Sequence, residues 1–421
     1  MTQILDELRW RGLVAESTDE VALREALDAG PMTFYVGFDP TARSLHVGHL
    51  VQVLTARRLQ LAGHRPVALV GGATGLIGDP KASGERTLND PDVVAAWVDR
   101  IRGQVEPFLD FTGPNAALMV NNLDWTGSLS AIELLRDIGK HFSVNRMLDR
   151  EAVAARLATT GISYTEFSYV LLQSNDYLEL HRRHGCSLQL GGSDQWGNIT
   201  AGCELIRRVE GHRVHALATP LLTKADGTKF GKTEGGTVWL DPELTSPYAF
   251  FQFWLGAEDA SVGSYLRVFT FRTPEEITEL ERATSERPFA REAQRVLARD
   301  VTTLVHGADA AARAEAAAGA LFGRGELAAL DERTLADALA QLPVGQVRKE
   351  DLADVPRLLA AAGVVPSVSA GRRVVAEGGA YVNNVKVSDA QAGVPVEQLL
   401  HGRWLVLRRG RRTLGAVEVA A

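Results

Sequence analysis

The side chains best suited to chemistry lie in two short stretches far apart in the chain. The first is Tyr35-Val-Gly-Phe-Asp-Pro-Thr-Ala-Arg-Ser-Leu-His-Val-Gly-His49. It supplies an acid (Asp39), a hydroxyl (Thr41) and two imidazoles (His46, His49) with Gly48 between them. The second is Lys229-Phe-Gly-Lys-Thr233, two ammonium groups and a hydroxyl on a glycine-loosened loop. Backbone N–H groups at a helix start attract phosphate. Glycine there leaves no side chain to hold a flat ring or a ribose away from the backbone. Two His three apart on a helix are equally at home on a surface; the lysine stretch is what turns this corner into a candidate nucleotide cradle. The chemistry these groups suit is contact with a nucleotide and its phosphates.

The elements that must hold these residues are legible. Apolar alternation from Phe34 to Phe38 predicts a buried strand. Asp39-Pro40-Thr41 turns the chain, and good helix formers run from Leu45 to Gly63. Pro66–Val70 predicts a second strand, ending in the glycines of Gly71–Pro80, whose spacing does not fit the dinucleotide fingerprint. Ala117–Asn121 predicts a third strand, with a helical pattern at Val93–Phe108 between. Strands alternating with helices predict a parallel α/β sheet with ligands at the strand C-terminal ends, where Tyr35, Asp39 and Asp79 would fall. Tyr169, Gln173 and Asp176 share one helix face, either a solvated stripe or a pocket wall; the apolar neighbours Leu171 and Leu172 favour the wall. Leu188–Asn198 reads as a short strand through Gly191-Gly192 into a helix, with Asp194 near its start as N-cap or ligand. His181, His184, Cys186 and Cys203 lack zinc spacing and read as structural or surface residues. A phosphate-binding P-loop would need glycine at Asp226, so the lysine loop is not one. Lys81–Thr87 is either a flap or a plain surface loop.

Length bounds the rest. A chain of 421 residues implies two or three domains. Hydrophobic content of 45% and charged content of 23% are those of an ordinary globular protein. No apolar run is long enough to span a bilayer, and Met1–Trp10 reads as an amphipathic helix rather than a signal peptide. Two cysteines imply a reducing compartment, with the cytoplasm as default. The net charge is −7, yet Pro366–Ala421 holds eight basic residues against four acids, leaving about −11 on the remainder. A basic tail on an acidic body suggests a module that meets phosphate backbones. The pattern is helical from Pro247 to about Gly323, then a linker with one helix. A small module begins at Asp351, with hairpins at Asn383-Asn384 and within Arg403–Thr413. The expected segments are 1–225, a lysine-loop linker 226–246, a helical segment 247–324, a linker 325–350 and a small module 351–421.

In this order and combination the chain resembles the bacterial tyrosyl-tRNA synthetases of class I. His46-Val-Gly-His49 resembles the His-Ile-Gly-His signature, and Lys229-Phe-Gly-Lys-Thr233 resembles Lys-Met-Ser-Lys-Ser. Tyr35–Asp39, Gly71–Pro80, Tyr169-x-x-x-Gln173-x-x-Asp176 and Gly191–Asn198 add to the match, and the end resembles an S4-type RNA-binding domain. The resemblance implies a Rossmann-like parallel-sheet catalytic domain, an α-helical anticodon-recognition domain and a small α+β S4-like domain. It implies L-tyrosine, ATP and tRNA(Tyr) as substrates, Mg²⁺ with the ATP phosphates, no organic cofactor, no metal held by the protein, and a homodimer, with no membrane or DNA partner. By the resemblance, Thr41, His46, Lys229, Lys232 and Thr233 meet the departing phosphates, with Lys81 and Arg86 joining from the flap. His49, Gly48 and Asp194 hold the adenosine, and Gly37, Asp39 and Gly192 complete the ATP set. Tyr35 and Asp176 select the phenol; Asp79, Tyr169 and Gln173 hold the ammonium; Gln195 meets the carboxylate, and Asp39 borders the tyrosine. Val36 removes a ribose contact that relatives carry. The alternatives are an RNA-binding regulator that has lost ligase activity and a free-standing nucleotidylyltransferase.

Overall fold

Six strands bring the predicted site residues to one edge. In the computed structural model, which describes residues 3–80, 88–223, 230–233, 236–387, 389, 393–410 and 412–420, they are β1 (Glu16–Ser17), β2 (Thr33–Phe38), β3 (Arg65–Val70), β4 (Leu118–Asn121), β5 (Leu188–Gly192) and β6 (His215–Thr219). Their order is β1-β6-β5-β2-β3-β4. Every pair is parallel except β1 with β6. Phe38 lies opposite Val70, and Val70 opposite Asn121, so three strand ends are level. The order reverses between β2 and β5, which opens a crevice beyond their C-terminal ends. The three strands expected at 34–38, 66–70 and 117–121 are β2, β3 and β4.

The helix Tyr164–His184 runs from a Ser163 N-cap to Gly185 at φ 63, a left-handed stop that glycine adopts without strain. It buries Leu171, Leu178 and Leu180, and it carries Tyr169 and Asp176 inward as well.

The chain forms two compact units, residues Met1–Asp241 with Ala260–Glu281, and Pro242–Asp259 with Arg282–Ala421. Periodicity places the helix Asp259–Phe269 inside a continuous helical segment, yet nearly all of it belongs to the first unit. Two arginines explain this. Arg58 donates to the carbonyls of Val268 at 2.9 Å and Thr270 at 2.6 Å. Arg11 donates to those of Arg267 at 2.9 Å and Arg272 at 3.0 Å. Helix-end carbonyls lack intrahelical partners, and a buried cation with several donors satisfies them.

In the second unit, helices Pro247–Leu255, Glu292–His306, Ala308–Leu321 and Glu332–Leu339 precede a five-stranded sheet. β7 (Lys232–Thr233) and β8 (Gly236–Thr237) form a separate ribbon in the first unit, and the five-stranded sheet is built of β9 (Val344–Val347), β10 (Ala380–Val382), β11 (Val385–Lys386), β12 (Trp404–Arg409) and β13 (Thr413–Val419), in the order β11-β10-β12-β13-β9. The stretch 325–350 is therefore not linker throughout: β9 pairs in parallel with β13. Only Val347 of its four residues is buried, so it lacks an apolar signature. Leu358, Leu359, Val375, Leu405, Leu407 and Val417 form the module's core. Asn383 and Asn384 turn the β10–β11 hairpin at φ 46 and 67, as a two-residue primed turn requires.

Candidate active site

The helix Val47–Leu61 starts on a reciprocal cap made by the two imidazoles. His46 Nδ1 accepts from the Gly48 N–H at 3.0 Å, and His49 Nδ1 accepts from the His46 N–H at 3.1 Å. Each ring therefore carries its own proton on Nε2, as a neutral donor. The rings lie 4.0 Å apart. Burial first, and then the neighbouring His46, push His49 down to about 3. A Cβ on Gly48 would sit 2.8 Å from His46 Cε1 and 2.9 Å from Nδ1, so glycine is what lets the cap close.

The lysine strap meets this helix mouth through its backbone. Gly231, at φ 80, lies so close that a Cβ there would be 2.5 Å from Val47 Cγ2 and 3.9 Å from the Gly48 nitrogen. The Val238 N–H donates to Gly231 O at 2.9 Å, and the Val47 N–H donates to Val238 O at 3.0 Å. Trp239 bridges His46 as an isolated β pair. Lys232 and Thr233 continue as a strand from Gly231, their backbones alone being described. Lys229, Lys81 and Arg86 lie outside the described residues.

Beyond β2, β3 and β4 a buried polar network forms. The Tyr169 hydroxyl donates to Asp39 Oδ2 at 2.6 Å, and Thr74 Oγ1 donates to Asp39 Oδ1 at 2.7 Å. Asn122 Nδ2 reaches Thr74 Oγ1 at 3.0 Å and Asp176 Oδ2 at 2.9 Å, while Trp125 Nε1 donates to Asp176 Oδ1 at 2.8 Å. Gly71 makes room for the Asp39–Thr74 bond, since a Cβ there would fall 2.1 Å from Asp39 Oδ1. Burial raises Asp176 to about 7 against the two bonds that lower it. On the opposite side, Gln195 Nε2 donates to Asp79 Oδ2 at 2.9 Å and Asn198 Nδ2 to Asp79 Oδ1 at 3.1 Å. Arg150 donates to Asn198 Oδ1 and to the Gly197 carbonyl.

Two atoms of this pocket lack partners: the Tyr35 hydroxyl and Gln173 Oε1 are buried without a hydrogen bond. Burial, with the Asp176 charge next, holds the Tyr35 phenol far above its usual range, so it stays a donor. Unsatisfied buried polar atoms at the floor of a crevice are sockets for a polar ligand.

The sequence-derived residues converge in large part. Tyr169 with Asp39, and Gln195 with Asp79, are in direct contact, and His46, His49 and Gly48 form one cap. Gly37 is exposed within a central strand, which opens the sheet surface there. Thr41 and Asp194 are exposed; a Cβ on Gly192 would lie 2.5 Å from Asp194 Oδ1. Asn122, Trp125, Thr74 and Asn198 escape a reading of the sequence, since lone polar residues past strand ends carry no pattern. His181 and Cys186 are structural, His181 Nδ1 lying 2.9 Å from the Cys186 carbonyl oxygen. Of the eight tail cations, Arg408 is buried over the Tyr381 ring at 4.3 Å, and Arg403 pairs with Glu418.

Relatives match this sequence over the whole chain. The family model for tRNA synthetases class I (W and Y) matches residues 27–323, and that for a Tyrosine–tRNA ligase SYY-like C-terminal domain matches 334–416. The chain is 69% identical to a tyrosine–tRNA ligase of Kineococcus radiotolerans, covering 100% of this chain and 99% of that one. It is 59% identical to that of Mycobacterium bovis over 99% and 98%. A C-terminally truncated mitochondrial tyrosyl-tRNA synthetase of Coccidioides posadasii superposes with a TM-score of 0.66 at 30% identity, over 75% of this chain and 91% of that one. A tryptophanyl-tRNA synthetase of Encephalitozoon cuniculi shares the fold at a TM-score of 0.55 and 13% identity, over 79% and 89%. The chain belongs to the class I tRNA synthetases of the tryptophan and tyrosine family, and within it to the tyrosine–tRNA ligases.

Proposed function

We propose that this crevice joins L-tyrosine to ATP and then hands the tyrosyl group to tRNA(Tyr). A tyrosine carboxylate oxygen attacks the α-phosphorus, and the bond to the β-phosphate oxygen breaks. Tyrosyl-adenylate and pyrophosphate result. A hydroxyl of the tRNA 3′-terminal ribose then attacks the adenylate carbonyl, and AMP leaves. Neither step needs a protein nucleophile.

The phenol of the substrate goes between Tyr35, whose buried hydroxyl has no partner, and Asp176. A site built to bond a hydroxyl rejects the analogue that lacks it, a rule that tyrosine-specific synthetases themselves exemplify. Gln173, Tyr169 and Asp79 receive the ammonium in a region where the carboxylates of Asp39, Asp79 and Asp176 all act on Tyr169. Gln195 faces the carboxylate side. Asp194, Gly192, Gly48 and His49 take the adenosine. His46, Thr41, Lys232, Thr233 and Lys229 share the charge that develops on pyrophosphate.

Mg²⁺ accompanies the ATP. Its ligands there are the phosphate oxygens, the hard donors such an ion takes. Ile132, Leu135, Val144, Leu157 and Tyr164 are exposed, Tyr164 at 69%, and supply apolar surface for a homodimer. No helix among the described residues is long and apolar enough to cross a membrane.

The observation that carries this reading is the packing of Gly231 on Val47 and Gly48, which brings the strap's backbone to the imidazole-capped helix mouth. Tyrosine-dependent exchange of pyrophosphate into ATP tests it. Exchange with tryptophan and none with tyrosine, or RNA binding with no adenylate formed, would overturn it.

A further inference from the structure

Between the strap's two lysines sits an aromatic ring that a phosphate-binding loop does not itself require. Phe230 is buried at 8% exposure. Its ring is 4.9 Å from that of Tyr265 and stacked on that of Phe269 at 5.3 Å and 21°. Its N–H donates to the Leu222 carbonyl at 3.1 Å. The next residue is Gly231, seated on Val47.

The seat is itself fixed. Tyr265 and Phe269 belong to the helix Asp259–Phe269, whose last carbonyls are held by Arg58 and Arg11. Arg58 lies on the helix whose first turn carries His46 and His49, about 18 Å further along at 1.5 Å per residue. One helix thus fixes the imidazoles at its mouth and, through Arg58, the aromatic seat of the strap. Glycine cannot fix its own position; a stacked ring in a braced apolar seat can.

We propose that Phe230 is the positioning residue of the lysine strap, its seat between Tyr265 and Phe269 holding Gly231 against Val47 at the imidazole-capped helix mouth. The proposal rests on the function given above. With the ring seated, the strap's backbone is held at the helix mouth where pyrophosphate departs. With the ring removed, tyrosine still binds, because its pocket lies at the ends of β2 to β4, but the charge on pyrophosphate is met less often.

The test is a set of variants in the full-length protein, read by the rate of tyrosyl-adenylate formation at saturating substrates and separately by tyrosine affinity. Phe230→Ala and Tyr265→Ala should each lower the rate by up to about 10²-fold, the cost of small misplacement in a catalytic array, with tyrosine affinity unchanged. Phe230→Met, an adaptable apolar filler, should recover most of the rate. In a Lys232→Ala background, Phe230→Ala should cost much less than it does alone, since it acts through the lysine. Undiminished rate in Phe230→Ala and Tyr265→Ala, or full multiplication of the Phe230 and Lys232 effects, would overturn the proposal. So would loss of tyrosine binding in step with the rate in both alanine variants. A wild-type protein without tyrosine-dependent exchange would instead sink the proposed function, whatever the variants do.

Discussion

The side-chain amide of Asn122 donates to the carboxylate of Asp176 at 2.9 Å, at a point where neither residue reaches solvent. The same amide reaches Thr74 Oγ1 at 3.0 Å, and Asn122 Oδ1 accepts from the Ala73 N–H at 2.7 Å. Asn122 therefore ties the carboxylate proposed to select the phenol to the Asp39–Thr74–Tyr169 chain. Asn122→Ala would strip a buried carboxylate and a buried backbone N–H of partners at once, a loss of about 1–3 kcal/mol for such groups. The expected result is a lower denaturant midpoint, weaker tyrosine binding and about tenfold poorer discrimination against phenylalanine in pyrophosphate exchange. Unchanged discrimination with lowered stability would make Asn122 a structural residue only.

Asp176 should make tyrosine binding pH-dependent. Its carboxyl is raised to about 7 by burial, and a substrate phenol that donates to it favours the ionised form. Tyrosine should thus bind more weakly as pH falls below about 7, and binding near pH 6 should release a proton. Calorimetry in two buffers of different ionisation heat reads that proton directly; equal heats in both would contradict the assignment. Stability carries the opposite sign. A folded pKa above the ordinary 3.8 favours the fold while the group is protonated, fully below that value, and the advantage is lost as pH rises through about 7. Asp176→Asn should therefore flatten the fall in melting temperature between about pH 5 and 8.

The capped helix mouth predicts a selective lesion. Gly48→Ala would drive a methyl to within 2.9 Å of His46 Nδ1 and force that ring off its cap. The ring is the group assigned to the phosphates, so the rate of adenylate formation should drop by about 10²-fold while tyrosine affinity holds. Stopped-flow measurement of the first step, set beside equilibrium tyrosine binding, separates the two. A parallel loss of both would show that the mouth supports the whole sheet edge and not the phosphate end alone.

His49 gives the converse pH signature. Burial, and then His46, depress it to about 3, so it stays neutral across the working range. A depressed His pKa contributes stability in full above the ordinary 6.5, and that stability drains away as pH falls towards about 3. His49→Asn, which keeps a donor and an acceptor without a titrating ring, should resist acid unfolding better than the wild type, followed by fluorescence in a pH series. The exchange rate of the wild type should show no inflection from His49 between about pH 5 and 8. An inflection that vanishes in His49→Asn would mean the ring ionises in the working enzyme.

How much of the fold and the site is legible beforehand follows from the kind of signal each residue leaves. Phe34–Phe38 announces a buried strand by apolar alternation and Pro66–Val70 by a short apolar run, and the sheet order then brings Asp39 and the Gly71 region together. The Tyr169–Asp176 stripe is readable because helical spacing repeats. Asn122 and Trp125 leave no repeat; they become visible only when β4 is laid beside β3 and their partners are 48 to 54 positions away. The seat of Phe230 is hidden for a related reason. Its walls, Tyr265 and Phe269, sit in a helix that periodicity alone joins to the helices on either side of it, and only the carbonyl contacts of Arg11 and Arg58 show that it packs with the first unit.

The position of β9 changes where the basic tail should be cut. A truncation before Asp351 would leave Val344–Val347 behind without β13, its parallel partner, and would expose an unpaired edge. Removal after Gln341 takes the five-stranded sheet whole and keeps the helix Glu332–Leu339. The remaining protein should form tyrosyl-adenylate at the full rate, since every residue assigned to that step precedes Asp241. It should charge tRNA poorly, because exposed Arg372, Arg373, Arg409 and Arg412 go with the module. Their contribution is counterion release, so the salt dependence of tRNA binding should flatten, by a slope of up to about 0.7–0.9 for each phosphate that the shortened protein no longer neutralises. Filter binding across a salt series measures that slope. Unaltered charging and slope in the truncated protein would mean that the tail does not touch tRNA, and a soluble 351 truncation with full adenylate activity would mean that β9 needs no partner.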